Sequence, residues 1–252
     1  MSNMYRDTKT WNPAVGCNYD CVYCEKSFKR QIRRVAAHIG CQDCYDYKPH
    51  YHPERLKTSS IPSAETVFVF GQGDINFCDP EYVRRTFDVI RQKKSRKKQG
   101  YYWQSKNPKC LEQYLGEYPE GSILVTTMET NRDEGYELVS KAPKPSTRMR
   151  DFLELDYPEK VVTVEPVMDF DIAEFLKWIL KLRDQGSLLY VWFGFNSNPD
   201  KVKLPEPDEA KAQRFVDLLK AAGVEVRGKT LRGVKVSPIT FIEQNLVTWL
   251  GY

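Results

Sequence analysis

Hydrophobic positions in this chain fall in short continuous runs separated by amphipathic stretches. The runs are TVFVFG (66–71), GYYWQSK (100–106), SILVTTM (122–128), KVVTVEP (160–166), LLYVWFGF (188–195) and VEVR (224–227). Continuous rather than alternating apolar residues indicate strands covered on both faces. Between them lie helical patterns at 80–97, a short stretch after Pro108, 132–141, 171–184 and about 206–222. KTWNPAV (9–15) is a candidate for a further strand ahead of the first run. Strand–helix repetition of this kind builds parallel βαβ units. The expectation is a parallel α/β sheet, curled into an open or complete barrel. Ligands of such sheets bind beyond the carboxyl ends of the strands, so the residues just after each run are the ones to inspect.

Length changes this picture little. The chain has 252 residues, 41% of them hydrophobic, enough for one core and one domain over 1–252. No apolar run approaches the roughly 18 residues that span a bilayer, and no signal peptide is evident, so a cytoplasmic location with no membrane contact is expected. A net charge of +4 permits nucleic-acid binding without demanding it.

Cysteine changes the picture more. Five of the seven cysteines fall between 17 and 44: Cys17, Cys21, Cys24, Cys41 and Cys44. Without an export signal, such clustering reads as metal or cluster ligation rather than disulfides. CNYDCVYC (17–24) puts three thiols on one short loop. Thiolates suit iron–sulfur clusters and zinc. Three of them can hold three irons of a [4Fe–4S] cube and leave the fourth iron open. The alternative is a zinc knuckle with Cys41 or Cys44 as fourth ligand.

CX3CX2C near the amino terminus, with an aromatic residue before the last cysteine, resembles the signature of radical SAM enzymes. TWNPAVGC (10–17), YHPERL (51–56), QSKNP (104–108) and TVEPVMD (163–169) together resemble the phage-associated radical SAM subgroup of unknown function, with Ser105 where that subgroup has Thr. The resemblance implies a partial (β/α)6-type TIM barrel of parallel strands. It implies a [4Fe–4S] cluster on Cys17, Cys21 and Cys24, with S-adenosylmethionine (SAM) chelated at the open iron. It further implies reductive cleavage to a 5′-deoxyadenosyl radical, hydrogen abstraction from a substrate, and an electron donor such as a flavodoxin or ferredoxin. Tyr23 takes the aromatic position beside the adenine.

The strand ends supply further cofactor-binding candidates. GQGD (71–74) stands where the family carries a Gly-Gly-Glu element for the methionyl amino group, with Asp74 in place of the longer Glu. Gly71 and Gly73 allow close backbone approach, and a carboxylate accepts from an ammonium group. The alternative is an ordinary strand-to-helix turn. Lys106 is placed to pair with the methionyl carboxylate, or is a solvated strand-end lysine. Thr127, Glu129, Asn131 and Arg132 lie after SILVT (122–126) and are candidates by position. Glu165 ends an apolar strand, where a carboxylate is costly unless paired or facing a cavity. Asn196 and Ser197 close the fifth run.

Cys41 and Cys44 form a C-x-x-C with His50 and His52 soon after, inside an insertion at about 38–60. Two sulfurs and two nitrogens suit zinc, although zinc histidines commonly sit four or more residues apart. An auxiliary cluster with Cys78 or Cys110, a redox pair and two plain thiols are the alternatives. RQKKSRKK (91–98) carries six positive charges and precedes a strand, which puts it on the rim away from the active site. YYWQS is expected to be mostly barrel core, with Trp103 or Gln104 facing the cavity. The substrate reading leans to a nucleic acid or nucleotide, with a peptide or small metabolite next. A zinc-stabilised nucleic-acid-binding protein without catalysis and a SAM-binding sensor are the rivals.

Overall fold

A computed structural model describes residues 8–25, 28–94 and 98–236. Seven parallel strands form its main sheet: β1 (Thr8–Trp11), β4 (Thr66–Val69), β5 (Gly100–Gln104), β6 (Ser122–Thr127), β7 (Lys160–Val164), β8 (Leu188–Phe193) and β9 (Val226–Gly228). They stand side by side in that order, every neighbouring pair parallel, and curl into a half-barrel. This is the partial barrel that the continuous runs and the resemblance imply. A two-stranded antiparallel ladder of β2 (Ala14–Val15) and β3 (His50–Tyr51) lies outside it.

The stretch 9–15, expected as one strand, is two. β1 ends at Trp11, and Pro13, with no N–H to give a ladder, separates it from β2. Asn12 fills the break, its side-chain oxygen accepting from the Gln72 amide at 2.9 Å.

Strand residues alternate between two surroundings. Val67, Val69, Tyr101, Trp103, Leu124, Val162, Val164, Val191 and Phe193 pack outward into the main core beneath the helices. Phe68, Tyr102, Val125, Val161, Tyr190 and Trp192 form a separate cluster on the concave side. Trp103 therefore belongs to the helix-covered layer, where it meets Phe70 and Phe87 and donates to Ser122 Oγ. Gln104, one residue on, faces the cavity.

The covering helices are α4 (Pro80–Gln92), α5 (Pro145–Glu154), α6 (Ile172–Asp184) and α7 (Glu209–Ala221). In α4, Asp79 caps the amino end by accepting from the Glu81 and Tyr82 amides, with Pro80 at the first position. Val83, Phe87 and Ile90 form its buried stripe. In α6 the stripe is Phe175, Ile179 and Leu182, all fully buried, each contributing about 1.5–3 kcal/mol relative to exposure. Residues 132–141, expected as a helix, instead form a loop with one 3-10 turn at Tyr136–Leu138. Gly135 there has a left-handed φ of 72°, which breaks a helix. Helix α5, after this loop, was not anticipated. The end of the 80–97 pattern lies partly outside the described residues.

Before β4 come α1 (Val22–Glu25), α2 (Phe28–Ile39) and α3 (Gln42–Asp46). Among the described residues no helix is long and apolar enough to cross a membrane.

Candidate active site

A cavity of about 450 Å3 opens at the carboxyl ends of the strands, within the size range of small-molecule sites. Its floor is the concave face: Phe68, Gln104, Thr127, Thr163 and Trp192. Gln104 donates to Thr127 Oγ1 at 2.8 Å, and Thr163 Oγ1 bonds the same atom at 2.9 Å, so the polar floor is internally tied. One wall is Tyr23, Cys24, Phe28 and Gln31, from the cysteine loop and the start of α2. The opposite wall is Glu165, Phe195, Asn196, Ser197, Asn198 and Lys229, from the ends of β7, β8 and β9.

Cys17, Cys21, Tyr23 and Cys24 gather in one small hydrophobic cluster with Tyr19, Phe77, Tyr136 and Ala142. Cys21 is buried, accepts from the Lys106 ammonium at 3.3 Å and shares a hydrogen bond with the Ser140 hydroxyl at 3.1 Å. A hydrogen bond from Cys24 holds the Cys21 thiol below the ordinary thiol range, and Lys106 adds to the effect. That bond pushes Cys24 up instead, and burial raises Cys17. Lys106 makes a thiolate at this loop stable, which is the species soft metals bind.

Behind the loop lies a buried charged network. Glu129 and Arg148 are both fully buried and pair at 2.9 Å. Glu129 also takes the Lys106 ammonium and the Tyr23 hydroxyl, and Tyr136 OH donates to it at 3.1 Å. Burial alone would raise the Glu129 carboxyl; the Arg148 and Lys106 charges outweigh it and hold it well below the usual range. Lys106 and Arg148 stand against Glu129 behind Cys21, and the Asp74 carboxyl acts on Cys17. Three thiols on one loop, with an ammonium beside Cys21, are the donors that a [4Fe–4S] cluster takes. The fit rests on thiolate donors with a cation 3.3 Å from one of them.

The other sequence candidates divide. Tyr23 and Glu165 line the cavity. Glu165 accepts from Trp192 Nε1 at 2.6 Å and pairs with Lys229 at 2.9 Å. Lys106 and Glu129 sit behind the cysteine loop rather than on the cavity wall. Asp74 is buried and accepts from Ser105 Oγ, the Lys106 amide and the Asn76 amide, which ties the turn after β4 to the end of β5. Gly71 and Gly73 serve close backbone approach. A Cβ at Gly71 would stand 2.8 Å from Thr10 Cγ2, and one at Gly73 would stand 2.8 Å from the Gly16 carbonyl. Arg132 is outside the cavity, paired at the surface with Asp169 and Asp171. Cys78 and Cys110 pack against the main core, apart from the other cysteines.

Three contributors were not anticipated. Arg148 and Tyr136 lie in the stretch whose helix boundaries were misplaced, and Lys229 follows the last strand with no motif around it. A lone arginine between Met149 and a Ser-Thr pair carries no signal for burial.

No protein-family profile matches the sequence, and no curated protein does. Solved structures do match. The structure of native anSMEcpe with bound AdoMet and Cp18Cys peptide aligns with 97% of this chain at a TM-score of 0.52 and 14% identity. Hexahistidine-tagged anSMEcpe with bound AdoMet aligns with 96% at 0.53 and 15%. The chain has the fold of anSMEcpe. It spans 65% of the length of that protein in both comparisons, and identity this low concerns the fold alone.

Proposed function

We propose that this chain is a radical SAM enzyme whose cluster is held by Cys17, Cys21 and Cys24. The observation that carries the reading is the placement of Tyr23 and Cys24 in the wall of the cavity at the carboxyl ends of the strands. A three-thiolate loop bordering a ligand-sized cavity leaves coordination open on the side where a small molecule fits. The shared fold with a protein seen with bound AdoMet supports the same reading.

Cys17, Cys21 and Cys24 would hold the cluster, which would supply the one electron needed to cleave SAM reductively to methionine and a 5′-deoxyadenosyl radical. The chain's own residues bind, orient and exclude water. Lys106 offsets thiolate charge at Cys21. Tyr23 is held by Glu129, so its ring is fixed at the cavity edge. Trp192 and Phe195 give apolar surface, and Gln31 and Asn198 give side-chain amides, while the Asn196 amide is engaged by the Val202 carbonyl and the Asn198 amide. Aromatic faces with amides suit a nucleobase, so the substrate class we infer is a nucleic acid or nucleotide. The described residues of the basic tract, 91–94 and 98, are on the amino-terminal side of β5 and take no part in this wall. A flavodoxin or ferredoxin is the proposed electron donor.

The test is anaerobic. The chain is reconstituted with iron and sulfide, given SAM and dithionite, and 5′-deoxyadenosine is quantified. Product from the parent and none from Cys21→Ala is expected. A preparation that takes up zinc at this loop and no cluster would overturn the reading. Adding nucleosides, oligonucleotides or peptides, each deuterated at candidate positions, then reports the substrate by transfer of deuterium into 5′-deoxyadenosine.

A further inference from the structure

The insertion that precedes β4 carries a second set of donors with a different geometry. Cys41 Sγ, Cys44 Sγ, His50 Nε2 and His52 Nε2 all lie within 4.8 Å of one another. Cys44 Sγ is 3.2 Å from each imidazole nitrogen, and Cys41 Sγ is 3.5 Å from His50 Nε2. Cys44 and His52 are buried.

The far side of each ring decides its chemistry. His50 Nδ1 is 2.7 Å from the Lys48 carbonyl oxygen, which can only accept, so Nδ1 carries the proton. His52 Nδ1 is likewise 3.0 Å from Glu54 Oε1. With Nδ1 of each ring turned to an acceptor, both Nε2 atoms face the sulfurs and approach each other to 2.9 Å. A cation between them turns the contact into attraction. A carbonyl or carboxylate behind each ring is the usual support of a metal-bound histidine. The Cys44 amide donates to Cys41 Sγ at 3.1 Å, which favours the thiolate. In the structure the two sulfurs form a disulfide, the oxidised state of the same pair. A disulfide gives no reason for two imidazoles to aim at it.

We propose that the reduced Cys41–Cys44 pair, with His50 Nε2 and His52 Nε2, binds one Zn2+ in a closed tetrahedral site. Two thiolates and two imidazoles are the donor set of structural zinc. A thiol reductant first delivers two electrons and two protons to the disulfide, and Zn2+ binding to the resulting dithiol then releases the two thiol protons. The ion's task is mechanical. His50 and Tyr51 form the ladder with Val15 and Ala14, and the His52 amide donates to the Pro13 carbonyl at 2.7 Å. The segment between the cysteines and histidines closes on Gly16, where a Cβ would fall 2.2 Å from the Lys48 carbonyl oxygen. Gly16 immediately precedes Cys17. Zinc at this knuckle thus holds the backbone on which the first cluster thiolate stands.

The experiment uses the full chain purified under reducing conditions, with zinc and iron measured by plasma mass spectrometry. A Cys17→Ala/Cys21→Ala/Cys24→Ala variant cannot hold the cluster, so its zinc content is read independently of the radical SAM reading. One zinc per chain is expected in the parent and in this variant, with loss of the zinc in Cys44→Ser and in His52→Ala. Cobalt in place of zinc in the triple-alanine variant should give the ligand-field spectrum of a tetrahedral thiolate site, which a merely unfolded Cys44→Ser does not bear upon. Absence of zinc from the triple-alanine variant, iron in its place, or a Cys41–Cys44 disulfide that survives reduction of the native chain would each overturn the proposal.

Discussion

The two cysteine regions flank helix α2 and meet at Gly16 and Lys48, yet their surroundings are opposite. The loop at 17–24 offers three sulfurs, borders a cavity of about 450 Å3, and has a lysine 3.3 Å from one sulfur. The knuckle at 41–52 offers four donors, lines none of that cavity, and props its two imidazoles from behind. Three donors with space beside them leave a coordination position for chemistry. Four donors with no space close it. The lesson is that cysteine count near a motif says little until the room around each sulfur is known.

The sharpest way to break the comparison is to exchange damage between the regions. Cys21→Ala should reduce 5′-deoxyadenosine formation to background while leaving zinc at the level of the parent. Cys44→Ser should do the reverse: zinc is lost, while iron binding falls only in part, because the cluster ligands remain. Metal analysis and product assay on the same preparations decide it. Should Cys44→Ser remove iron as completely as Cys21→Ala does, the two regions are one unit and the division between chemistry and support fails.

Next in size is the charged network behind the first loop. Arg148 and Glu129 are fully buried partners. Arg148→Met leaves the Glu129 carboxylate with Lys106 as its remaining cation and orphans part of its hydrogen bonding. Breaking one side of a buried ion pair costs about 3–5 kcal/mol, readable as a shift in the urea midpoint of the cluster-free chain. Among the described residues no comparable network backs the knuckle, so a midpoint that does not move would erase that contrast.

Gly16→Ala probes the contact between the regions. Gly16 has a φ of 102°, and the added methyl meets the Lys48 carbonyl. Backbone strain of this kind costs on the order of 1–3 kcal/mol. Amide exchange should quicken at 14–17 and at 47–52 together. Faster exchange on one side alone would mean that the two regions do not brace each other.

The fold was legible in the sequence because its strands are covered on both faces. TVFVF, YYW and VVTV are β-branched or aromatic throughout and carry no charge, and the parallel sheet follows. That Cys17, Cys21 and Cys24 lie together was legible from their spacing, and they share one small hydrophobic cluster. What was hidden has physical causes. Helix α5, PSTRMRDFLE, buries Arg148 within its apolar stripe, so the stripe looks broken. The 132–141 stretch has helical composition, but Gly135 takes a left-handed turn. The histidine spacing of two is shorter than zinc histidines commonly show, which argued against their acting together. Here His50 is in an extended ladder, where residues two apart share a face.

The smallest expected effect concerns Arg132, a residue whose position after β6 made it a cofactor candidate. Its guanidinium pairs with Asp169 at 2.5 Å and with Asp171 at 2.8 Å, all three side chains partly exposed. Exposed pairs are worth about 0–1 kcal/mol, and a guanidinium already shared by two carboxylates has little left for a ligand. Arg132→Ala should therefore move the urea midpoint slightly and leave the affinity for SAM as in the parent, measured by equilibrium dialysis on the reconstituted chain. A tenfold loss of affinity, about 1.4 kcal/mol, would return Arg132 to the binding site and require the loop after β6 to close over the cavity from its surface position.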